Sequence, residues 1–332
     1  MDLVTQASVG AIVALAVAPK QLTKRAAFVG AVSGMAADLD TLLGVSSDPL
    51  LTLEIHRHFT HSLAFIPFGA TLVTLLIWLG SLRRWSWHSI WWFAILGYST
   101  HGLLDACTSF GTHLLWPFSM ERTAWNIVSV VDPLFTLPII GLACTSFVKK
   151  RRFSAILGTT WGLLYLFLCL HQHNIAIAEQ GSLVATRGHY PERSVIKPSF
   201  ANNVLHRSVY EHDGIFYVDA IRVGWFSIPH IYTGSGIARL EVDDVFPELT
   251  QPSEHQQGIA RFQNLTDNFL VLHPGEEFVL GDIRYAMIPS SIRPLWGIRV
   301  TPSTPHKPVE FIQTRDRKPG ELQLFLNMLF EL

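Results

Sequence analysis

The chain has 332 residues, of which 49% are hydrophobic and only 15% are charged, against roughly 25% charged residues in an average soluble protein. This composition argues against an ordinary soluble protein and indicates contact with lipid. The formal net charge of −1 provides no overall basic footprint of the kind that nucleic acid requires, so we expect no nucleic-acid partner.

Long uncharged segments are concentrated in residues 1–171 and predict a helical membrane domain with about six helices. The candidate spans are 4–18, 26–43, 60–80, 89–106, 127–147 and 154–171. Most of them are close to the ~20 residues that a bilayer crossing requires. No basic residue precedes the first apolar stretch, so we interpret it as a membrane helix rather than a cleaved signal peptide.

Basic residues in the short connections predict the orientation, because Lys and Arg concentrate in cytoplasmic loops. Three clusters fall on one side: Lys20, Lys24 and Arg25; Arg83 and Arg84; and Lys149, Lys150, Arg151 and Arg152. The loops 44–59 and 107–126 contain only Arg57 and Arg122 as basic residues. We therefore expect these loops, and everything after residue 171, on the extracytoplasmic side of the membrane.

Residues 172–332 alternate polar and apolar side chains and predict a mainly β, extracytoplasmic domain. His212-Asp213-Gly214 lies between candidate strands 208–211 and 215–220, which predicts a hairpin. Further strands are predicted at 238–242, 258–264, 268–272, 284–288, 297–301 and 309–314. Apolar residues at helical spacing predict a final helix from Gly320 to Leu332.

Ionisable side chains are unfavourable at membrane depth and mark candidate functional sites. They lie at the predicted extracytoplasmic ends of the spans and comprise Asp38, Asp40, His56, His61, His101, Asp105 and Asp132. His101 and Asp105 are four residues apart, so on a helix both project from one face. Imidazole and carboxylate are usual ligands of catalytic zinc, although a buried hydrogen bond between the two side chains is the alternative interpretation.

Sequence spacing alone does not show which of the other candidates share a site. Asp38 and Asp40 would point in different directions on a regular helix, so both can serve one site only if the helix ends near them. His56 and His61 are five apart, which requires one of them in a loop. Between them, Arg57 offers a fork of donors suited to phosphate or carboxylate. Thr60 and Ser62 are candidates for orienting a ligand.

Several short motifs occur in a fixed order along the chain. They are Asp38-Leu39-Asp40, His56-Arg57-x-x-Thr60-His61-Ser62, His101-Gly102-Leu103-Leu104-Asp105, Thr108, Gly111-Thr112, Trp116-Pro117, Val131-Asp132-Pro133, then Pro198, Asn203, Arg207 and Asp282-Ile283-Arg284-Tyr285. Together they resemble the metal-dependent hydrolases of the bacterial inner membrane, also described as LexA-binding membrane-associated hydrolases. The resemblance implies a helical membrane domain and hydrolytic activity.

A looser similarity extends to zinc-dependent phospholipase C and related nucleases, whose metal motif has an Asp, a His and a His-x-x-x-Asp pair in this order. Asp40 or Asp38, then His56, His101 and Asp105 match it, whereas no second motif of this kind follows Asp105. The similarity therefore covers one metal motif and does not extend to further metal ions.

We hypothesise a divalent metal, zinc, bound by residues from the set Asp40, His56, His61, His101 and Asp105. Metal-activated water would attack phosphorus or a carbonyl, with Arg57 stabilising negative charge and Asp38 or Asp132 acting as base. A lipid or lipid-linked phosphoester at the outer leaflet is the expected substrate class. Two alternatives are a transporter or metal- or proton-binding membrane protein, and a non-enzymatic regulatory or assembly protein.

Overall fold

The structure is a computed structural model that describes residues 1–44, 48–246, 253–304, 306–315 and 319–331. The chain divides into two compact units. The first comprises Met1–Leu43, Ile55–His171 and Phe200–Asn203, and the second comprises Gly44–Glu54, Gln172–Ser199 and Val204–Leu332. A helical N-terminal region is followed by a β-sheet-rich C-terminal part, as the sequence predicted.

The described residues up to 186 form seven α-helices, and two segments among them are long and apolar enough to cross a membrane, Leu63–Gly80 and Arg152–Thr186. The helices are α1 (Leu3–Val17), α2 (Thr23–Met35), α3 (Pro49–Ile55), α4 (Ile66–Gly80), α5 (Trp87–Ala106), α6 (Pro133–Lys149) and α7 (Arg152–Thr186). α1 and α6 are apolar but shorter. α5 has 20 residues, and its last two turns contain His101 and Asp105.

Two predicted spans end elsewhere in the structure. The predicted span 26–43 is not one α-helix, because α2 ends at Met35 and a 3-10 segment, Ala36–Leu43, follows it. The predicted span 154–171 continues as α7 to Thr186. The last part of α7 has a tertiary partner in the second unit, where Ala176 packs with Ile196 and Ile221. This burial favours continued helix where the sequence predicted the start of the β domain.

Helices α1, α2 and α5 approach one another backbone to backbone. A Cβ added at Gly10 would lie 2.3 Å from the Gly30 carbonyl oxygen, and one at Gly97 would lie 2.5 Å from the same oxygen. Gly30 and Gly34 are four residues apart on α2, the spacing with which small residues allow close helix packing in membranes. Only glycine fits at these contacts, so the three helices hold a fixed relative position.

The second unit is built on two antiparallel sheets. One contains β1 (Arg193–Pro198), β2 (Leu205–His212), β3 (Ile215–Arg222), β4 (His230–Tyr232) and β5 (Gly236–Ala238), in the order β1-β2-β3-β4 with β5 also paired to β3. After α8 (Val242–Val245) and α9 (Glu254–Leu265), the other contains β6 (Leu270–Leu272), β7 (Val279–Asp282), β8 (Trp296–Arg299) and β9 (Glu310–Gln313), and α10 (Glu321–Phe330) follows. One apolar cluster joins the sheets, with Phe216 from the first and Val271 from the second.

The predicted β2–β3 hairpin is confirmed. His212 pairs with Ile215 across a two-residue turn in which Asp213 and Gly214 have φ values of 50° and 70°. Positive φ at both central residues is the conformation of a type I′ turn, whose twist matches the right-handed twist of the strands. Gly214 adopts this conformation without a steric penalty. The predicted final helix is confirmed as α10.

Three predicted strands are wrong. Residues 258–264 lie in α9, whose buried positions His255, Gly258, Ile259 and Phe262 have helical spacing. Residues 284–288 form turns and irregular backbone after β7, and most of 238–242 lies between β5 and α8. A short apolar run alone does not distinguish a strand from one face of a helix, and this ambiguity led to the error at residues 258–264.

Candidate metal centre

Four side chains bring one ligand atom each to a common point in the first unit. Asp38, His61, His101 and Asp105 offer atoms that all lie within 4.8 Å of one another. The two Nε2 atoms are 3.0 Å apart, and each lies 3.3–3.4 Å from Asp38 Oδ1 and from Asp105 Oδ2. Tetrahedral zinc with ligands at about 2.0–2.2 Å requires ligand atoms roughly 3.3–3.5 Å apart, so the arrangement has the size of such a site.

The hydrogen bonds of the two histidines turn both Nε2 lone pairs toward this point. His101 Nδ1 donates to the Gly34 carbonyl oxygen at 2.5 Å. His61 Nδ1 lies 3.0 Å from Thr60 Oγ1 and 3.3 Å from Asp40 Oδ2, while the Thr60 hydroxyl donates to the same carboxylate. A proton on Nδ1 leaves Nε2 as the acceptor, so two lone pairs and two carboxylates converge, which favours a cation.

The two oxygens of Asp105 have different surroundings. Gln6 Nε2 donates to Oδ1 at 3.1 Å, and Arg57 Nη2 lies 3.3 Å from the same oxygen. Oδ2 is buried and has no hydrogen-bond partner among the described residues. Because a buried acceptor without a partner is unfavourable, this oxygen is suited to bind an ion.

The sequence analysis left Asp38 and Asp40 as alternatives for this group, and the structure brings Asp38 to it. Asp38 is the one member of the group of four whose side chain solvent partly reaches, at 14% exposure against 0% for the others. Asp40 lies outside the group because its oxygens are engaged by other donors. His56 Nδ1 is 2.9 Å from Oδ1, and the Arg57 backbone N–H and Thr60 donate to Oδ2 at 3.0 and 2.9 Å.

The remaining predicted site residues take supporting positions. His56 contacts Asp40 and is not part of the group of four. Arg57 is 5% exposed, and its guanidinium binds Thr108 Oγ1 at 2.9 Å as well as Asp105, so it positions Asp105. Asp132 caps α6 by accepting from two backbone N–H groups and also accepts from the Tyr165 hydroxyl. These contacts indicate a structural role for Asp132 rather than that of a base.

His58 and His113 form a separate pair in the loops. Their ring centroids are 4.6 Å apart. Burial, together with the charge of Arg122, lowers the pKa of His113 to about 4, so this ring is neutral at physiological pH. The His113 backbone N–H donates to the Arg57 carbonyl oxygen at 3.0 Å, which ties the two loops together beside the site.

Sequence reasoning missed the glycines that shape the centre. A Cβ at Gly102 would lie 2.0 Å from the His61 carbonyl oxygen, and one at Gly34 would lie 2.5 Å from the Gln6 carbonyl oxygen. The four-residue spacing of Gly30 and Gly34 in an apolar segment is the signal that predicts such packing. Gln6 left no comparable signal, because a single amide in an apolar helix matches no ligand spacing.

The sequence profile of a family described as YdjM inner membrane protein matches residues 1–176. The inner membrane protein YbcI of Escherichia coli strain K12 is 33% identical over an alignment of 138 residues, and the match covers 38% of this chain and 75% of YbcI. The uncharacterized protein YfhP of Bacillus subtilis strain 168 is 26% identical over 98 residues, which are 30% of this chain and only 29% of YfhP. No solved structure matches the chain.

Proposed function

This chain belongs to the YdjM inner membrane protein family, and we propose that it is a membrane-bound hydrolase dependent on a divalent metal, which we assign as zinc. Membership supports a location in the bacterial inner membrane. The observation that carries the proposal is that each of two imidazole Nε2 atoms lies 3.0–3.4 Å from the other and from two carboxylate oxygens. Mixed nitrogen and oxygen ligands of this kind are typical of catalytic zinc.

In this proposal His61, His101 and Asp105 hold the ion, and Asp38 is the general base. A divalent ion supplies a Lewis acid and activates water for hydrolysis. Asp38 is the member of the group that solvent reaches, so its carboxylate can accept a proton from an entering water molecule. Asp40 and Thr60 orient His61, and Arg57 holds Asp105, so these residues position the ligands without touching the substrate.

A lipid or lipid-linked phosphoester remains our proposed substrate class. Leu39 and Leu42 belong to the same 3-10 segment as Asp38, and their exposed fractions are 61% and 78%. An apolar surface beside the accessible carboxylate suits a substrate that carries hydrocarbon. We further propose six crossings, with the metal centre and the residues after α7 on the periplasmic side, because this arrangement keeps the basic clusters cytoplasmic.

Metal analysis of the purified full chain tests the site. We expect about one zinc per chain in the wild type, and loss of zinc from His101→Ala and Asp105→Ala, because each removes a ligand. His88→Ala is the matched control, since His88 is an exposed histidine of α5 outside the group. Undiminished zinc in both ligand variants would falsify the site.

Turnover is tested in vesicles of bacterial polar lipids containing the purified protein. We expect zinc-dependent appearance of hydrolysed lipid in mass spectra, absent after chelation and in Asp38→Asn. No lipid product under any metal condition, with zinc bound, would reject hydrolysis of these lipids.

A second candidate, a structural or regulatory zinc site, is favoured by one observation: four protein side chains bring ligand atoms within 4.8 Å of one another, and three of these side chains are fully buried. Structural zinc sites are closed in this way, whereas catalytic sites keep an open position. Asp38→Asn separates the two functions. If Asp38 is the general base, the variant retains zinc and loses turnover. If Asp38 is a fourth structural ligand, the variant loses the zinc itself.

A further inference from the structure

The connection between β3 and β4 presents apolar side chains to the outside of the second unit. Phe226 is fully exposed at 101%, Ile228 is 88% exposed and Trp225 is 46% exposed. No charged residue occurs between Arg222 and His230. Single exposed apolar residues are ordinary on protein surfaces, but three within four residues form a patch that indicates an interaction site.

The base of this loop is held in place, so its tip has a defined conformation. A Cβ at Gly224 would lie 2.0 Å from Ser227 Oγ, which shows how tightly the loop turns. Arg222 Nη1 donates to Ser227 Oγ at 3.2 Å, and Arg222 Nε donates to the Leu329 carbonyl oxygen at 2.9 Å. Arg222 also forms an ion pair with Glu331 at 2.6 Å. The loop is thereby anchored to the end of α10, and its apolar residues are presented without ordering a flexible segment.

We propose that this loop, residues 224–229, is a membrane anchor of the second unit, whose Phe226 and Ile228 insert into the interfacial region of the bilayer. A Trp and a Phe beside an aliphatic side chain are the residue types that favour this region. The chain belongs to an inner-membrane family and contains helices able to cross a bilayer, so lipid is available to the tethered second unit.

The size of the patch favours lipid over a second copy of the chain. A fully exposed aromatic side chain offers about 150–250 Å². Three side chains, of which Trp225 is only half exposed, therefore offer less than the roughly 800 Å² per partner that a stable protein interface buries. Insertion of a few side chains into the interface requires no such area, because each contributes separately in proportion to its apolar surface.

Depth-dependent fluorescence quenching tests the proposal in the full chain. Phe226→Cys and, separately, Ile228→Cys are made in a Cys144→Ser background, because Cys144 is exposed while Cys107 and Cys169 are buried. Each variant is labelled with an environment-sensitive dye and reconstituted into vesicles of phosphatidylethanolamine and phosphatidylglycerol. We expect blue-shifted emission that is quenched by lipids with a spin label near the headgroup.

Tyr190→Cys is the matched control, because Tyr190 is an 83% exposed aromatic residue of the same unit outside the loop. Its label should emit as in water and escape the lipid quencher. Emission at positions 226 and 228 that equals this control overturns the proposal. A second outcome also overturns the proposal. If the emission is blue-shifted but is not quenched by the spin-labelled lipid, and if the blue shift grows with protein density, the loop contacts another protein chain.

Discussion

His61 lies between two aspartates that act on opposite sides of its ring. Nε2 is 3.4 Å from Asp38 Oδ1, and Nδ1 is 3.3 Å from Asp40 Oδ2. A carboxylate on Nδ1 fixes the tautomer and makes Nε2 a stronger ligand, as is common around metal-binding histidines. Asp38 and Asp40, only two positions apart, can therefore act on the same metal site, Asp38 at the site itself and Asp40 through His61.

This arrangement predicts a graded effect for Asp40→Asn. The variant retains the size of the side chain but loses the charge that orients His61, so we expect zinc affinity to fall about 10- to 100-fold. The measurement is zinc titration against a competing chelator, with Asp105→Asn as a comparison that should bind zinc far more weakly. Loss of zinc from Asp40→Asn as complete as from His101→Ala would make Asp40 a direct ligand instead.

Helical spacing was sufficient to predict that His101 and Asp105 face one point, because both lie on the regular helix α5. The roles of Asp38, Asp40 and His56 could not be predicted in this way. Their segments are 3-10 or irregular, and Arg57, directly after His56, has a φ of 63°, a left-handed conformation that no residue pattern indicated. Tertiary hydrogen bonds select which carboxylate reaches the group.

The buried His206 of the second unit should make the folded state less stable in mild acid. It is 1% exposed, and burial, with a further contribution from the charge of His173, lowers its pKa to about 3. Because the unfolded chain takes up a proton near pH 6.5 and the folded chain does not, this stability is present above pH 6.5 and decreases as the pH falls. At pH 5 the loss is about 2 kcal/mol.

Thermal unfolding of the second unit measures this effect in the detergent-solubilised full chain at pH 7.5 and pH 5. His206→Gln should show a smaller decrease between the two pH values, since it removes the titrating ring from the same buried position. An identical decrease in wild type and variant would mean that other groups account for the acid sensitivity.

At the scale of elements, the end of α2 determines whether the centre can form. The α-helix stops at Met35, and the 3-10 segment that follows carries both aspartates. Gly34, in the last turn of α2, accepts from His101 and packs against the Gln6 backbone. The same element thus supplies one carboxylate of the group and fixes the ring of a histidine on α5.

Gly102→Ala should disrupt the centre without touching a ligand. The new Cβ would lie 2.0 Å from the His61 carbonyl oxygen, and backbone must shift to relieve the clash. We expect weaker zinc binding and destabilisation by about 1–3 kcal/mol, as for other overpacked sites. Zinc content and the unfolding temperature measure the two effects.

Gly141→Ala on α6 is the matched control, because no atom lies within 4 Å of a Cβ placed there. It should bind zinc normally and unfold at or above the wild-type temperature. If Gly102→Ala also binds zinc normally, the close approach of α5 to His61 is not required by the centre.

The helices of the first unit were easier to predict than the elements around the second sheet. Apolar runs such as Leu63–Gly80 are too long for a strand, so the sequence identifies them as helices. By contrast, α9 begins after Ser253, whose side chain accepts from the Gln256 backbone N–H. This N-cap, combined with the helical spacing of Ile259 and Phe262, was the available signal for a helix.

For the whole molecule, the connections between helices are informative about topology. The basic clusters occur between α1 and α2, between α4 and α5, and between α6 and α7. The residues of the candidate centre come from the 3-10 segment after α2, the segment before α4 and the end of α5. These are the opposite ends of the same helices, so the candidate metal centre and the basic loops fall on different sides if six helices cross the membrane.

Reporter fusions test this topology in the living bacterium. A fusion at residue 190, beyond the end of α7, should be active only as a periplasmic reporter, and a fusion at residue 84 only as a cytoplasmic one, because Lys and Arg are retained on the cytoplasmic side. Replacing Arg83 and Arg84 with Gln controls for the role of charge and should weaken the orientation. Cytoplasmic activity at residue 190 would place the second unit inside, away from an outer-leaflet substrate, whereas the metal centre would stand on its own measurements.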